Sequence, residues 1–197
     1  GEDTIYFCDK CSFAENKEIA SVKEGDQCPE CSGKIKKENS IEVGNIFPLK
    51  NKFSSSMKAT VADKEGEQVE LIMGCYGIGI SRLLGTIVEI YHDNKGIIWP
   101  ENAAPYPAYL ISLGKNEEAE KLYEKLKSEN IDCLFDDREA TAGEKFADSD
   151  LIGLPCRILV SEKSLKAGGY EVTKRSDGGS SIMTKEEIIE MLTPIQK

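Results

Sequence analysis

Two Cys-x-x-Cys pairs, Cys8-Asp-Lys-Cys11 and Cys28-Pro-Glu-Cys31, stand 16 residues apart near the start of the sequence. Two such knuckles bring four thiolates around one tetrahedral Zn²⁺, each sulfur at about 2.3 Å from the metal. Pro29 and Gly33 suit the tight turns around the second knuckle. Four cysteines close the coordination shell, so the spacing predicts a structural metal in a zinc-ribbon scaffold and not a catalytic one. The competing readings are a ribbon that has lost its metal, or four plain reduced thiols. Cys75, Cys133 and Cys156 bring the total to seven. An odd count built around two CxxC pairs fits a reducing cytoplasm better than a secreted disulfide framework. The single histidine, His92, removes most Ser-His, Cys-His and His-metal sites at once and reads as a surface residue near a helix C-terminus.

With 197 residues the chain has room for one large domain or two small ones. Hydrophobic residues make up 40% and charged residues 30%, a globular composition. No apolar run approaches the roughly 18 residues of a membrane span, so no membrane partner is expected. The Gly1-Glu2-Asp3 start is acidic where a signal peptide would be basic, and it lacks an initiator Met. It reads as a processed or engineered product, or as the middle of a gene. Net charge is −10. Residues 1–104 hold 12 Lys and Arg against 17 Asp and Glu, and residues 105–197 hold 13 against 18. Bulk non-specific binding of nucleic acid or anionic membrane is therefore disfavoured, while a few locally placed cations can still read a nucleic acid.

From Ile41 the pattern becomes strand-like. Ile41–Phe47, Met57–Ala62 and Gln68–Met73 alternate, the last two joined by a turn over Asp63-Lys-Glu-Gly66. The run Gly74-Cys-Tyr-Gly-Ile-Gly-Ile-Ser-Arg82 follows, and Ile80, Leu83, Leu84, Ile87, Val88 and Tyr91 then repeat at helical spacing. The expected unit is strand, glycine turn, amphipathic helix. Gly96-Ile-Ile-Trp-Pro100 through Pro107 reads as a Pro-punctuated connector at a domain boundary. Beyond it strands are expected at Ala108–Leu113, Ile131–Phe135 and Arg157–Ser161, with a helix over Glu117–Glu129. A Gly-rich hairpin is expected around Gly168-Gly169 and Gly178-Gly179. Capping boxes at Thr141–Glu144 and Thr184–Glu187 start two more helices. Met183 can staple onto Ile188, and Ile188, Leu192 and Ile195 share the last apolar face. These elements make a mixed sheet with helices.

Gly74, Gly77 and Gly79 allow close approach of a ligand, or of the helix to the strand. Arg82 falls in the first helical turn, beside N–H groups that favour an anion, and its fork matches phosphate oxygens. A phosphate-bearing ligand and plain glycine-mediated packing stand level on these residues alone.

Ile41-Glu-Val-Gly-Asn-Ile-Phe47, Gly74-Cys-Tyr-Gly-Ile-Gly-Ile-Ser-Arg82, Gly96-Ile-Ile-Trp-Pro100 and Phe146-Ala-Asp-Ser-Asp-Leu-Ile-Gly-Leu-Pro155 together resemble the bacterial-type prolyl-tRNA synthetases. They occur in the right order and cover nearly the whole chain. The resemblance implies a C-terminal fragment in three parts: a Cys-rich segment over 1–39, the C-terminal part of a class II aminoacylation core with antiparallel strands over 40–103, and an α/β anticodon-binding domain over 104–197. It implies a proline–tRNA ligase parent that uses ATP with Mg²⁺, proline and tRNA(Pro), forms a homodimer and works in the cytoplasm. Arg82 matches the arginine of the third class II motif that holds the ATP γ-phosphate, with Gly79 beside it. Cys75 matches the cysteine beside the proline pocket, together with Gly74, Gly77 and Asn45. The family usually has His where this chain has Asn45. The first two class II motifs are not found here, so the fragment alone is expected to be inactive and monomeric or weakly associated.

Phe146 and Asp150 are four apart on one helix face, and Arg157 opens the next strand. Proline codons begin CC, so the matching anticodons end in two guanines. Asp can accept from a guanine Watson–Crick edge, Arg can donate to O6 and N7, and Phe can stack. The resemblance points at the same three positions. The competing reading makes Phe146 core and Asp150–Arg157 a surface ion pair. For the whole chain, the alternatives are a freestanding tRNA-binding or regulatory module with a degenerate synthetase core, and a generic zinc-ribbon interaction protein.

Overall fold

A computed structural model describes residues 1–193. Two compact units divide it, Gly1–Thr86 and Ile87 onward.

In the first unit, β1 (Asp3–Cys8) lies between β2 (Ala14–Asn16) and β3 (Ile35–Ser40), antiparallel to both. Cys8 pairs with Ile35 at the end of this ladder, and both are buried with Cys28. Three residues later the chain enters β4 (Gly44–Lys50), followed by the short helix α1 (Ser54–Met57), β5 (Thr60–Ala62), β6 (Gln68–Glu70), β7 (Met73–Ile78) and α2 (Ile80–Ile90). β5 and β6 form the expected hairpin. The Asp63 carboxylate accepts the amides of Glu65 and Glu67 there, and Gly66 takes φ 87°.

β4 and β7 pair antiparallel, Asn45 opposite Gly77 and Phe47 opposite Cys75, with an irregularity at Pro48–Lys50. Four expectations change here. Ile41–Val43 stays outside the strand, Met57 ends a helix, and β6 stops at Glu70 so that Met73 opens β7. The glycine run is mostly strand, with Gly79 alone making the turn into α2. Glycines tolerate this ladder because neighbouring side chains occupy their Cβ space. A Cβ on Gly74 would meet Tyr76 Oη at 3.1 Å, and one on Gly77 would meet Asn45 Oδ1 at 3.0 Å. The apolar stripe expected on α2 forms, yet none of its residues is buried. Ile46, Ile72, Tyr76 and Ile78 are exposed as well. Two-stranded pairs offer these side chains no second layer to pack against.

The second unit holds the larger core. Its elements are β8 (Ala108–Leu113), α3 (Asn116–Ser128), β9 (Leu134–Asp136), α4 (Ala142–Ile152), β10 (Cys156–Ser161), α5 (Glu162–Lys166), β11 (Tyr170–Lys174), β12 (Ser180–Met183) and α6 (Lys185–Leu192). The sheet order is β12-β11-β10-β8-β9, with β8 parallel to both neighbours and β10, β11 and β12 antiparallel. This is the expected mixed sheet. β8 is covered on both faces, so it reads as a continuous apolar run. Leu110 points into a cluster with Leu122, Leu126, Ile158, Val160 and Ile188, while Tyr109 and Ile111 join Leu154, Phe146 and Trp99 on the other side.

Both capping boxes are present, at Thr141–Glu144 and Thr184–Glu187. Met183 packs against the same cluster as Ile188. Ile195 lies outside the described residues. The expected Gly-rich hairpin is two features. Gly168 follows α5, a short helix capped by Ser161, and the β11–β12 turn uses Gly178 at φ 71°.

Candidate functional site

Three groups of side chains carry chemistry. At the first, the Sγ atoms of Cys8, Cys11, Cys28 and Cys31 all lie within 4.8 Å of one another. Cys8 and Cys31 are 3.4 Å apart, and Cys11 and Cys28 are 3.6 Å apart. Sulfurs at a tetrahedral zinc are separated by about 3.8 Å, which follows from the Zn–S length. Backbone amides of Lys10, Glu30 and Gly33 donate to Cys8, Cys28 and Cys31 at 3.3–3.4 Å. Such N–H···S bonds stabilise thiolates, and both knuckles carry them. A Cβ on Gly33 would lie 2.5 Å from Cys8 Sγ, so the second knuckle closes only with glycine there.

The thiols also compete for charge. Burial works against ionising Cys8, but the Lys10 amide and hydrogen bonds from Cys31 and Cys11 outweigh it and lower its pKa to about 7. The Phe13 amide favours the Cys11 thiolate, yet burial and the neighbouring sulfurs push that pKa up to about 12. One thiolate suppresses the next, a frustration that a divalent cation removes. The donor set fits a metal.

The second group lines a cleft of about 470 Å³ formed by Glu42–Asn45 and Gly77–Arg82. Glu42 organises it. Its backbone carbonyl accepts from Arg82 Nη1 at 2.7 Å, and its carboxylate accepts from Asn45 Nδ2 at 2.9 Å. Of the residues singled out in the sequence, Asn45, Gly77, Gly79 and Arg82 come together here. Gly74 and Cys75 lie farther along β7, opposite Pro48 and Phe47, outside the lining. Arg82 is the only cation among the lining residues.

In the second unit, Arg157 Nη1 donates to Asp150 Oδ1 at 3.0 Å, and its guanidinium sits 4.8 Å from the centre of the Phe146 ring. The three residues are together, and the ring belongs partly to the core around Tyr109. A cavity of about 400 Å³ adjoins the pair. Lys95, Thr173, Lys174 and Arg175 line it, none of them singled out by the sequence, because they reach it from the residues just before the connector, the end of β11 and the turn after it.

The connector is stitched to the end of α4. Its Ile97 amide donates to Leu151 O, the Trp99 amide to Gly153 O, and Trp99 Nε1 to Ile152 O. Arg175 Nε donates to Asp150 O. These bonds satisfy carbonyls that a helix C-terminus leaves free. A separate buried network joins Asp136 to Tyr109 Oη, to the Arg138 fork and, at 4.0 Å, to the Lys145 ammonium.

A family described as "tRNA synthetase class II core domain (G, H, P, S and T)" matches residues 13–91, and "Anticodon binding domain" matches residues 108–194. The proline–tRNA ligase of Sulfurihydrogenibium sp. (strain YO3AOP1) is 46% identical over 180 residues, 89% of this chain and 32% of that protein. Those of Bacillus pumilus and Bacillus subtilis are 47% and 45% identical, over 92% and 89% of this chain and 33% and 32% of theirs.

The chain belongs to the prolyl-tRNA synthetase family.

It spans about a third of the length of the curated relatives it matches. As a prolyl-tRNA synthetase segment it carries the Arg82 cleft within the core match, and Phe146, Asp150 and Arg157 within the anticodon-binding match. Asp93, Lys95, Ile97 and Trp99 lie between the two matches. No helix among the described residues is long and apolar enough to cross a membrane.

Proposed function

We propose that this chain supplies the ATP γ-phosphate contact and the anticodon reader of a proline–tRNA ligase. The parent joins proline to ATP, the proline carboxylate attacking the α-phosphorus and pyrophosphate leaving, and then passes the prolyl group to a terminal ribose hydroxyl of tRNA(Pro), with AMP leaving. Arg82, with Gly79 beside it, neutralises charge on the departing pyrophosphate. Asn45, Gly74, Gly77 and Cys75 form the proline pocket, Asn45 in the orientation that Glu42 gives it. Mg²⁺ accompanies ATP and offsets its phosphate charge. A structural Zn²⁺ fills Cys8, Cys11, Cys28 and Cys31. The three parts are a Cys-rich segment over 1–39, core over 40–103 and an anticodon-binding domain over 104–197, in a cytoplasmic enzyme that acts as a homodimer.

The observation that carries the reading is the Phe146–Arg157–Asp150 arrangement inside the anticodon-binding match. Because Arg157 covers one face of Phe146, a base stacks on the outer face of the guanidinium. Asp150 Oδ2 accepts from the guanine N–H groups. The test is titration of the 197-residue chain with a proline anticodon stem-loop. Asp150→Ala and Arg157→Ala should each weaken binding to that RNA and remove its advantage over a stem-loop without the two guanines. Unchanged affinities for both RNAs contradict the assignment.

A further inference from the structure

We propose that the Asp93–Gly96 turn leading into the connector completes the anticodon pocket, with Lys95 binding a backbone phosphate of the anticodon loop and the Asp93–Arg175 pair holding it in place. The inference rests on the reading of this unit as a tRNA binder. It adds a residue that lies outside the anticodon-binding match.

The cavity beside Asp150 and Arg157 is lined by four cations, Lys95, Arg157, Lys174 and Arg175, and three carboxylates, Asp93, Asp150 and Asp177. Two of the cations are tightly held, which leaves Lys95 beside Asp150 and Lys174 at the end of β11. Arg157 bonds Asp150, and Arg175 grips both oxygens of Asp93 at 2.7 and 2.8 Å. Lys95 reaches only to 3.8 Å from Asp150 Oδ2, and its side chain is 65% exposed. An ammonium so placed is hydrated and available, next to the groups proposed to read a base. Positive charge beside a base reader, in a chain of net charge −10, suits a phosphate on the same nucleotide strand.

The backbone of Lys95 is held firmly. Asp93 Oδ1 accepts the Lys95 amide at 2.8 Å and the Gly96 amide at 3.1 Å. A Cβ on Gly96 would lie 2.3 Å from Leu151 Cα, so the connector presses directly on α4. The α4 carbonyls that would repel a phosphate are already hydrogen-bonded, by Arg175, Ile97 and Trp99. A phosphate contact positions the strand and carries no sequence information, whereas Asp150 and Arg157 carry the base preference. The two roles separate by experiment.

The 197-residue chain is titrated, over a range of salt concentrations, with a proline anticodon stem-loop and with one whose two guanines are replaced. Lys95→Ala should weaken both RNAs by the same factor and reduce the slope of log K against log salt by about 0.7, the value for one single-strand phosphate. The guanine preference should survive. Arg175→Met should have the same effect by releasing the connector, and adding Lys95→Ala to it should change nothing more. Arg175→Lys serves if the Met variant does not fold, and Lys125→Ala, on α3, is the neutral control. An unchanged slope in Lys95→Ala, with the wild type still discriminating, overturns the inference and leaves the tRNA reading intact. A change in guanine preference overturns it too, by making Lys95 a base reader. Wild-type chain that binds neither RNA overturns both.

Discussion

The Arg175 guanidinium donates to both carboxylate oxygens of Asp93, 82 residues away in sequence. The Arg175 side chain is 10% exposed and that of Asp93 36%, so the guanidinium is largely covered while the carboxylate end of the fork meets water. It holds Asp93 well below the usual carboxylate range, with the amides of Lys95 and Gly96 adding to the effect. Asp136 behaves similarly. Hydrogen bonds from Arg138 lower its pKa to about 2 against the opposing effect of burial.

A depressed carboxylate pKa contributes stability at pH values above the unfolded-state pKa near 3.9, and that contribution disappears as pH falls through the folded-state value. Thermal unfolding of the chain should therefore show a melting temperature that falls between about pH 4 and pH 2. Asp136→Asn should lower stability at pH 7 and flatten that acid limb. Equal pH dependence in wild type and variant contradicts this account.

Gly153 caps α4 at φ 72°, and a Cβ there would lie 1.7 Å from Ile97 O. Gly153→Ala should destabilise the second unit by roughly 2 kcal/mol or more, through backbone strain and displacement of the connector. Gly143, in the first turn of the same helix, has open space around it. Gly143→Ala should instead stabilise by about 0.4–1 kcal/mol. Denaturant midpoints of the two variants check both signs.

One Zn²⁺ per chain is expected in protein never exposed to chelator. A module whose buried apolar cluster is little more than its cysteines and Ile35 depends on the metal for folding free energy. Chelation, Cys28→Ser or Gly33→Ala should remove amide-exchange protection from residues 3–40 and leave the second unit's melting unchanged. Well under one equivalent of zinc, or intact protection after chelation, refutes it.

The chain alone should show no proline-dependent ATP–pyrophosphate exchange. Arg82 is the only cation lining its cleft, one charge against a triphosphate, and α2 and β7 leave that cleft open. Exchange above background, lost in Arg82→Ala, contradicts this.

What could be read in the sequence was local. Thr141–Glu144 and Thr184–Glu187 close their boxes within one turn, and the CxxC pairs announce themselves by spacing. The Asp63–Gly66 turn needs only its own amides. Features made by distant partners could not be read. Asp93 needs Arg175, Glu42 needs Arg82, and Lys95 enters the cavity only because Gly96 lets the connector meet α4. The strand character of Gly74–Gly77 was hidden for the same reason. Glycine has low strand propensity, and it is pairing with β4, under Tyr76 and Asn45, that makes it a strand. α5 escaped because five residues give too little periodicity, although its Ser161 cap was in view.

The most direct test of the central claim, that the second unit reads a proline anticodon, is equilibrium titration of the unmodified 197-residue chain with two RNA stem-loops differing only in the two anticodon guanines. The account predicts tighter binding to the guanine-bearing loop, each replaced base weakening it by about 1–3 kcal/mol. Equal affinity for the two loops contradicts it.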